Sequence, residues 1–144
     1  MDTNNNKLNI YDITVFKDNA NLAYLYKKTE KLVSALYMLS SFISDKEPVK
    51  WQMREASLEL LPQSLFLSDK NTFVASILKF LSFLEVSYAG GVISKMNYDI
   101  LKYEFESLIQ ITESSDKLGN AKDNFRITVC IRGMDVDFGD IVIV

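Results

Sequence analysis

The sequence predicts an all-α fold: an antiparallel four-helix bundle, up-down-up-down, with a short C-terminal tail that is β-prone or disordered. Three observations carry this expectation. Four stretches repeat apolar residues at helical spacing. Polar, proline or glycine breaks of a few residues separate them. Connections that short make consecutive helices neighbours of opposite direction.

The organising stretch is 21–44. Leu22, Leu25, Thr29, Leu32, Leu36, Leu39 and Ile43 recur there at alternating steps of three and four. The spacing puts them on one helix stripe, suited to a rod lying nearly parallel to its neighbours. Lys27, Lys28, Glu30 and Lys31 fall off the stripe and are expected on a solvated face. Asp18, Asn19 and Asn21 offer N-caps, and Ile10–Phe16 alternates as a short strand or an arm lying on the bundle.

Asp45, Glu47 and Pro48 mark the next start, since a proline in the first turn loses no helical hydrogen bond. In the second helix Val49, Met53, Ala56 and Leu60 form the stripe, with Trp51, Leu58 and Leu61 widening it. Pro62 is expected to end or kink it near Leu61, with a further turn or two through Leu67. A third helix, from about Thr72 to Ala89, carries Phe73, Ile77, Phe80, Leu84 and Tyr88, widened by Val74, Leu78 and Leu81. It is the most apolar and should be the most enclosed. Glu85 lies near that face, either at its edge or buried against Arg54 or a tyrosine hydroxyl. Gly90-Gly91 reads as a C-cap. The fourth helix presents Met96, Ile100, Leu101, Phe105, Leu108 and Ile111, with Glu104 and Glu106 pointing elsewhere. Phe125–Ile131 and Ile141–Val144 favour strands. The expected organisation is an N-terminal arm over 1–20, partly disordered, a bundle over 21–117 and a β-prone tail over 118–144.

Composition narrows the chemistry. The chain has 144 residues and a net charge of −3, which argues against direct nucleic-acid binding by this chain alone. Its single cysteine allows no intrachain disulfide and fits a reducing, cytoplasmic setting. The start lacks a signal-peptide pattern, and no continuous apolar run of spanning length occurs, so no membrane role is expected. There is no histidine. Ser-His-Asp and Cys-His catalysis, and the Glu-x-x-His motif of di-iron bundles, cannot be built from such a chain. No phosphate-binding loop or nucleophile elbow is present. Asp135, Asp137 and Asp140 have ligand-like spacing but lack the closing glutamate of a calcium loop, and turn chemistry explains them. No catalytic residue, metal or cofactor is expected.

The best recognition candidates are Trp51, Arg54 and Lys50, with Tyr37. Trp and Arg are enriched in binding hot spots, and their spacing of three shares a helix face. The competing reading makes Trp51 a large core residue at the bundle end with Arg54 stacked over it. Tyr24, Tyr26 and Tyr37 with Lys27, Lys28 and Lys31 are either a partner-facing side or an ordinary solvated face.

The run Thr29–Tyr37, followed by Ile43, Asp45, Pro48, Lys50, Trp51, Arg54 and Glu55, resembles an uncharacterised helical family of small-genome, uncultivated bacteria. Residues 93–106 resemble its later helical part, so the likeness spans about 21–111. Longer members of that family carry a winged-helix-like DNA-binding domain after an acidic linker; here the DFGDIVIV stretch departs from the linker pattern. The resemblance implies a sensing or assembly module of a regulatory protein and transfers no site residue. The expected function is a non-enzymatic protein-interaction or dimerisation module, bound to a protein partner or to itself, as the helical part of a transcriptional regulator. Alternatives are a sensor of a small apolar ligand held between the helices and an enzyme working with carboxylates alone.

Overall fold

Four helices in sequence order build the fold: α1 (Ala20–Ser40), α2 (Pro48–Leu65), α3 (Lys70–Ala89) and α4 (Lys95–Glu113), followed by the short strands β1 (Val136–Asp137) and β2 (Val142–Ile143). The computed structural model describes residues 9, 10, 13, 16, 19–65, 67, 69–114, 136–137 and 142–143. Each helix packs on the next, and α4 returns to α1 along the thinnest seam. This is the antiparallel bundle that the four apolar stripes anticipate.

Local chemistry sets each boundary. Asn19 caps α1 by accepting from the Leu22 amide at 3.0 Å. At the other end the hydroxyls of Ser40 and Ser41 donate back to the carbonyls of Tyr37 and Met38, and the helix stops there. It is shorter than its stripe: Ile43 lies in the turn beyond, yet is still buried. Asp69 caps α3 through the amides of Asn71 and Thr72. Ser94 caps α4 through the Asn97 amide. Gly91, at φ 73°, supplies the left-handed residue that closes α3, and the Val92 amide reaches back to the Ser87 carbonyl at 2.8 Å.

The core is one cluster. Leu25, Leu32, Leu36 and Leu39 of α1 meet Met53, Ala56 and Leu60 of α2, Phe73, Ile77, Phe80 and Leu84 of α3, and Leu101, Phe105 and Leu108 of α4. The Phe80 and Phe105 rings pack with centroids 4.1 Å apart.

Several expectations need correction. Ile10–Phe16, expected as a short strand or an arm lying on the bundle, is described at residues 10, 13 and 16, where the amides of Ile13 and Phe16 bond to carbonyls three residues back, a turn spacing and not that of a strand. The segment seats Phe16 in a buried position against Tyr26. α2 passes through Pro62 to Leu65. Pro62 is solvent-exposed, so its ring projects away from the bundle, and only one hydrogen bond is lost near an end that buried Ser64 anchors. α3 is not the most enclosed helix, for it buries five residues where α1 buries ten. By length and composition α3 is also apolar enough to cross a membrane, although its apolar residues do not form one unbroken run; here one of its faces forms part of the bundle core. Leu58, Leu78, Tyr88 and Met96, expected on apolar helix faces, are exposed, and so is Trp51, which widens the α2 stripe. Lys28 and Glu104 were read as solvated and are buried.

In the C-terminal part, Val136 pairs with Ile143 and Asp137 with Val142 in an antiparallel ladder. The expected tail strand is present in β2, and its partner comes from the stretch read as a connection. Phe125–Ile131, Asp135 and Asp140 lie outside the described residues.

Candidate functional site

The turn from α1 into α2 brings the sequence-predicted residues together. Lys50 follows Pro48 by two positions, so its side chain folds back under the turn. The Lys50 ammonium donates to the Ile43 carbonyl at 3.0 Å and to Asp45 Oδ1 at 2.7 Å. That hydrogen bond and the lysine charge hold the Asp45 carboxyl below its ordinary value. One helical turn on, Arg54 reaches the end of α1. Its Nε donates to Ser40 Oγ at 2.6 Å and its Nη2 to the Tyr37 carbonyl at 3.2 Å. Arg54 therefore serves the carbonyl-rich end of α1, where positive charge is favoured, and Lys50 the turn just beyond it.

The aromatics complete the corner. The Arg54 guanidinium lies 4.6 Å from the Tyr37 ring centroid and 5.5 Å from that of Trp51, and the Lys50 ammonium sits 5.1 Å from the Trp51 ring. Cations over aromatic faces at such distances attract. The Trp51 indole N–H donates to the Asp45 carbonyl at 3.0 Å. Trp51 is nonetheless 47% exposed. The core reading of Trp51 fails, while its companion idea, Arg54 stacked beside it, holds. The corner adds Ser40, Asp45 and exposed Phe42, which sequence reasoning did not select. Spacing on one helix cannot show which carbonyls of another a side chain will reach.

As the chain's single tryptophan, Trp51 reports on this corner directly. In the single, unassociated chain its fluorescence is expected to be red-shifted and readily quenched by iodide, which the neighbouring cations attract. A blue-shifted emission that iodide leaves untouched would place the ring in the interior and refute this geometry.

A second polar cluster lies in the α1–α4 seam. The Lys28 ammonium is 3.3 Å from Glu104 Oε2 and donates to Ser107 Oγ at 2.9 Å. Glu104 Oε2 is buried and, among the described residues, accepts no well-directed hydrogen bond. Burial pushes the Lys28 ammonium below its ordinary value and the Glu104 carboxyl above its own; in each case the partner's charge opposes the shift. Spacing held the clue that was missed. Lys28 stands three residues after Leu25 and four before Leu32; Glu104 stands likewise between Leu101 and Leu108. The burial of Lys28 takes one lysine from the basic side of α1, while the Lys27 side chain stays 41% exposed on it.

Glu85 takes the tyrosine partner weighed for it, but at the surface. Tyr98 donates to its carboxylate, and Lys102 donates to Glu85 Oε1 and to the Tyr98 hydroxyl, each at 3.0 Å. Tyr98 also stacks on Tyr88 at 4.4 Å. The arrangement ties α3 to α4. The Tyr98 hydrogen bond, then that of Lys102, holds the Glu85 carboxyl below its ordinary value. Among the described residues no cluster of three or more acidic or cysteine side chains is placed to hold a metal. Searches of protein-family models, curated proteins and solved structures find no match to this chain.

Proposed function

We propose that the chain is a non-enzymatic protein-interaction module, cytoplasmic, and the helical part of a transcriptional regulator. The observation that carries this reading is Trp51: an aromatic ring half open to solvent and already held by the Asp45 carbonyl and the Arg54 stack. An anchor held in place before binding loses little rotamer freedom on docking, so more of its apolar burial appears as affinity. The lack of histidine supports a role without acid–base chemistry near neutral pH. The resemblance over 21–111 supplies the regulatory context.

The test is a photo-crosslinking residue at Gln52, which is exposed beside Trp51, in cells that express the chain. A matching label at exposed Glu106 on α4 serves as control. The expected result is covalent protein adducts from position 52, absent from 106 and diminished by Trp51→Ala. Uncrosslinked chain alone, or equal adducts from both positions, would defeat the reading.

A further inference from the structure

We propose that the outer face shared by α2 and α3 binds the same face of a second copy of this chain about a two-fold axis running between the two helices. The inference rests on the interaction-module reading and names its partner.

The apolar character of α3 that the core does not use lies on this face. Ala75, Leu78, Ser82, Val86 and Ala89 recur at helical spacing on its outward side, and all are exposed. Beside them the outward side of α2 carries Trp51, Leu58 and Pro62, also exposed. Two contacts fix how the helices line up. Ser87 Oγ lies 3.4 Å from Met53 Sδ, and Lys79 lies 3.4 Å from Glu59. Since α2 and α3 run antiparallel, Trp51 stands level with Ala89 and Leu58 with Ser82. Trp51 and Leu58 therefore each have a small side chain beside them on α3, while Pro62 stands level with exposed Leu78.

A two-fold axis between the helices, along their length, sets α2 of one copy over α3 of the other at the same level. Trp51 then comes over the copy's Ala89, and Leu58 over the copy's Ser82. A self-complementary patch is what an isologous dimer requires. Charge follows the same rule. Glu59 and Lys79 lie at the groove between α2 and α3, and both side chains are about half exposed. The rotation brings Glu59 of each copy opposite Lys79 of the other, giving four charges of alternating sign. Glu85, at the far edge, is neutralised by Lys102 within its own chain. Glu55, exposed between Trp51 and Leu58 on α2, carries the charge that this arrangement leaves unmatched and that docking must accommodate.

The size is adequate. Helices of 18 and 20 residues are about 30 Å long, and two side by side cover about 20 Å. The patch is thus about 600 Å² per copy and about 1,200 Å² in total, the lower bound for a specific dimer. α3 alone offers about half of that, which is why the site needs both helices.

The test is the mass of the purified chain across a concentration series, by light scattering or sedimentation equilibrium. The wild-type chain is expected to pass from monomer to dimer. Lys79→Glu gathers four carboxylates at the axis and is expected to weaken the dimer by about tenfold or more. Glu59→Lys combined with Lys79→Glu restores alternation and is expected to recover most of the affinity. Leu58→Glu is expected to abolish association while leaving the helical circular dichroism unchanged. A chain that stays monomeric throughout overturns the proposal. So does a dimer indifferent to Lys79→Glu and Leu58→Glu, or one that the double exchange fails to restore. The cellular crosslink at Gln52 separates the two claims: adducts to another protein, from a chain monomeric when pure, leave the interaction module standing without self-association.

Discussion

Replacing Lys28 with alanine is expected to destabilise the fold by about 3 kcal/mol at neutral pH. Lys28 is 4% exposed and Glu104 is 8% exposed. Removing the cation leaves a carboxylate among apolar side chains, with Ser107 no longer bridged to it by the lysine. A stranded buried charge costs about 3–5 kcal/mol. The carboxyl can limit that loss by taking a proton. From its ordinary value of 4.5, doing so at pH 7 costs about 1.4 kcal/mol per pH unit, or roughly 3.4 kcal/mol, which sets the ceiling.

The pH dependence has a definite sign. In Lys28→Ala the folded-state Glu104 lies above its unfolded value, so the folded chain holds the proton more tightly. Stability is then regained as pH falls toward 4.5 and is lost as pH rises above it. Urea denaturation at neutral pH and again near about pH 5 is expected to show the deficit shrinking on acidification. A deficit that grows in acid would refute the assignment. Lys28→Met with Glu104→Leu removes both charges and is expected to be neutral or stabilising, by as much as about 1–4 kcal/mol. In the native pair, burial disfavours both charged forms, Lys28 being lowered and Glu104 raised. Relative to the doubly apolar variant, native stability should therefore be poorest near neutrality. It should improve toward acid, as Glu104 is protonated, and toward alkali, as Lys28 is deprotonated.

Phe105→Ala is expected to cost about 3–5 kcal/mol, because the ring is fully enclosed and its loss leaves a cavity between α3 and α4. The contact with Phe80 is close enough to test as a pair. A double-mutant cycle on Phe80→Ala and Phe105→Ala should return a coupling of about 0.5–1.5 kcal/mol. Denaturant titrations check both numbers. Additive losses, or a single-mutant cost below about 1 kcal/mol, would mean that the two helices do not share one core here.

The bundle was legible because its main determinant is periodic. Leu25, Leu32, Leu36 and Leu39 announce one buried side of α1 regardless of what covers them, and Gly91 announces a break that only a left-handed residue closes well. For two charged side chains, position on the helix outranks polarity. Lys28 and Glu104 sit on apolar faces by spacing, and each is buried because the other supplies the opposite charge. That partnership links residues far apart in sequence, so neither half shows it alone. The core alternative for Trp51 fails in the opposite direction. The ring is apolar and near a stripe, but the turn carbonyl at Asp45 and the guanidinium of Arg54 hold it at the edge. The four corner residues were found because Trp, Arg, Lys and Tyr occur close together in sequence. What they grip, the end of α1, depends on how α2 folds back.

The direction of the four rods has a consequence for signalling. The Trp51 corner and the Gly90-Gly91 turn are at one extremity of the bundle; the first residues of α1 and the last of α4 are at the other, roughly 30 Å away. Anything joined after residue 114 departs from the end remote from the tryptophan. A partner seated on the corner would leave that attachment unobstructed, and its arrival would have to be relayed lengthwise. The α1–α4 seam, the thinnest between the helices, is the one that the buried Lys28–Glu104 pair bridges.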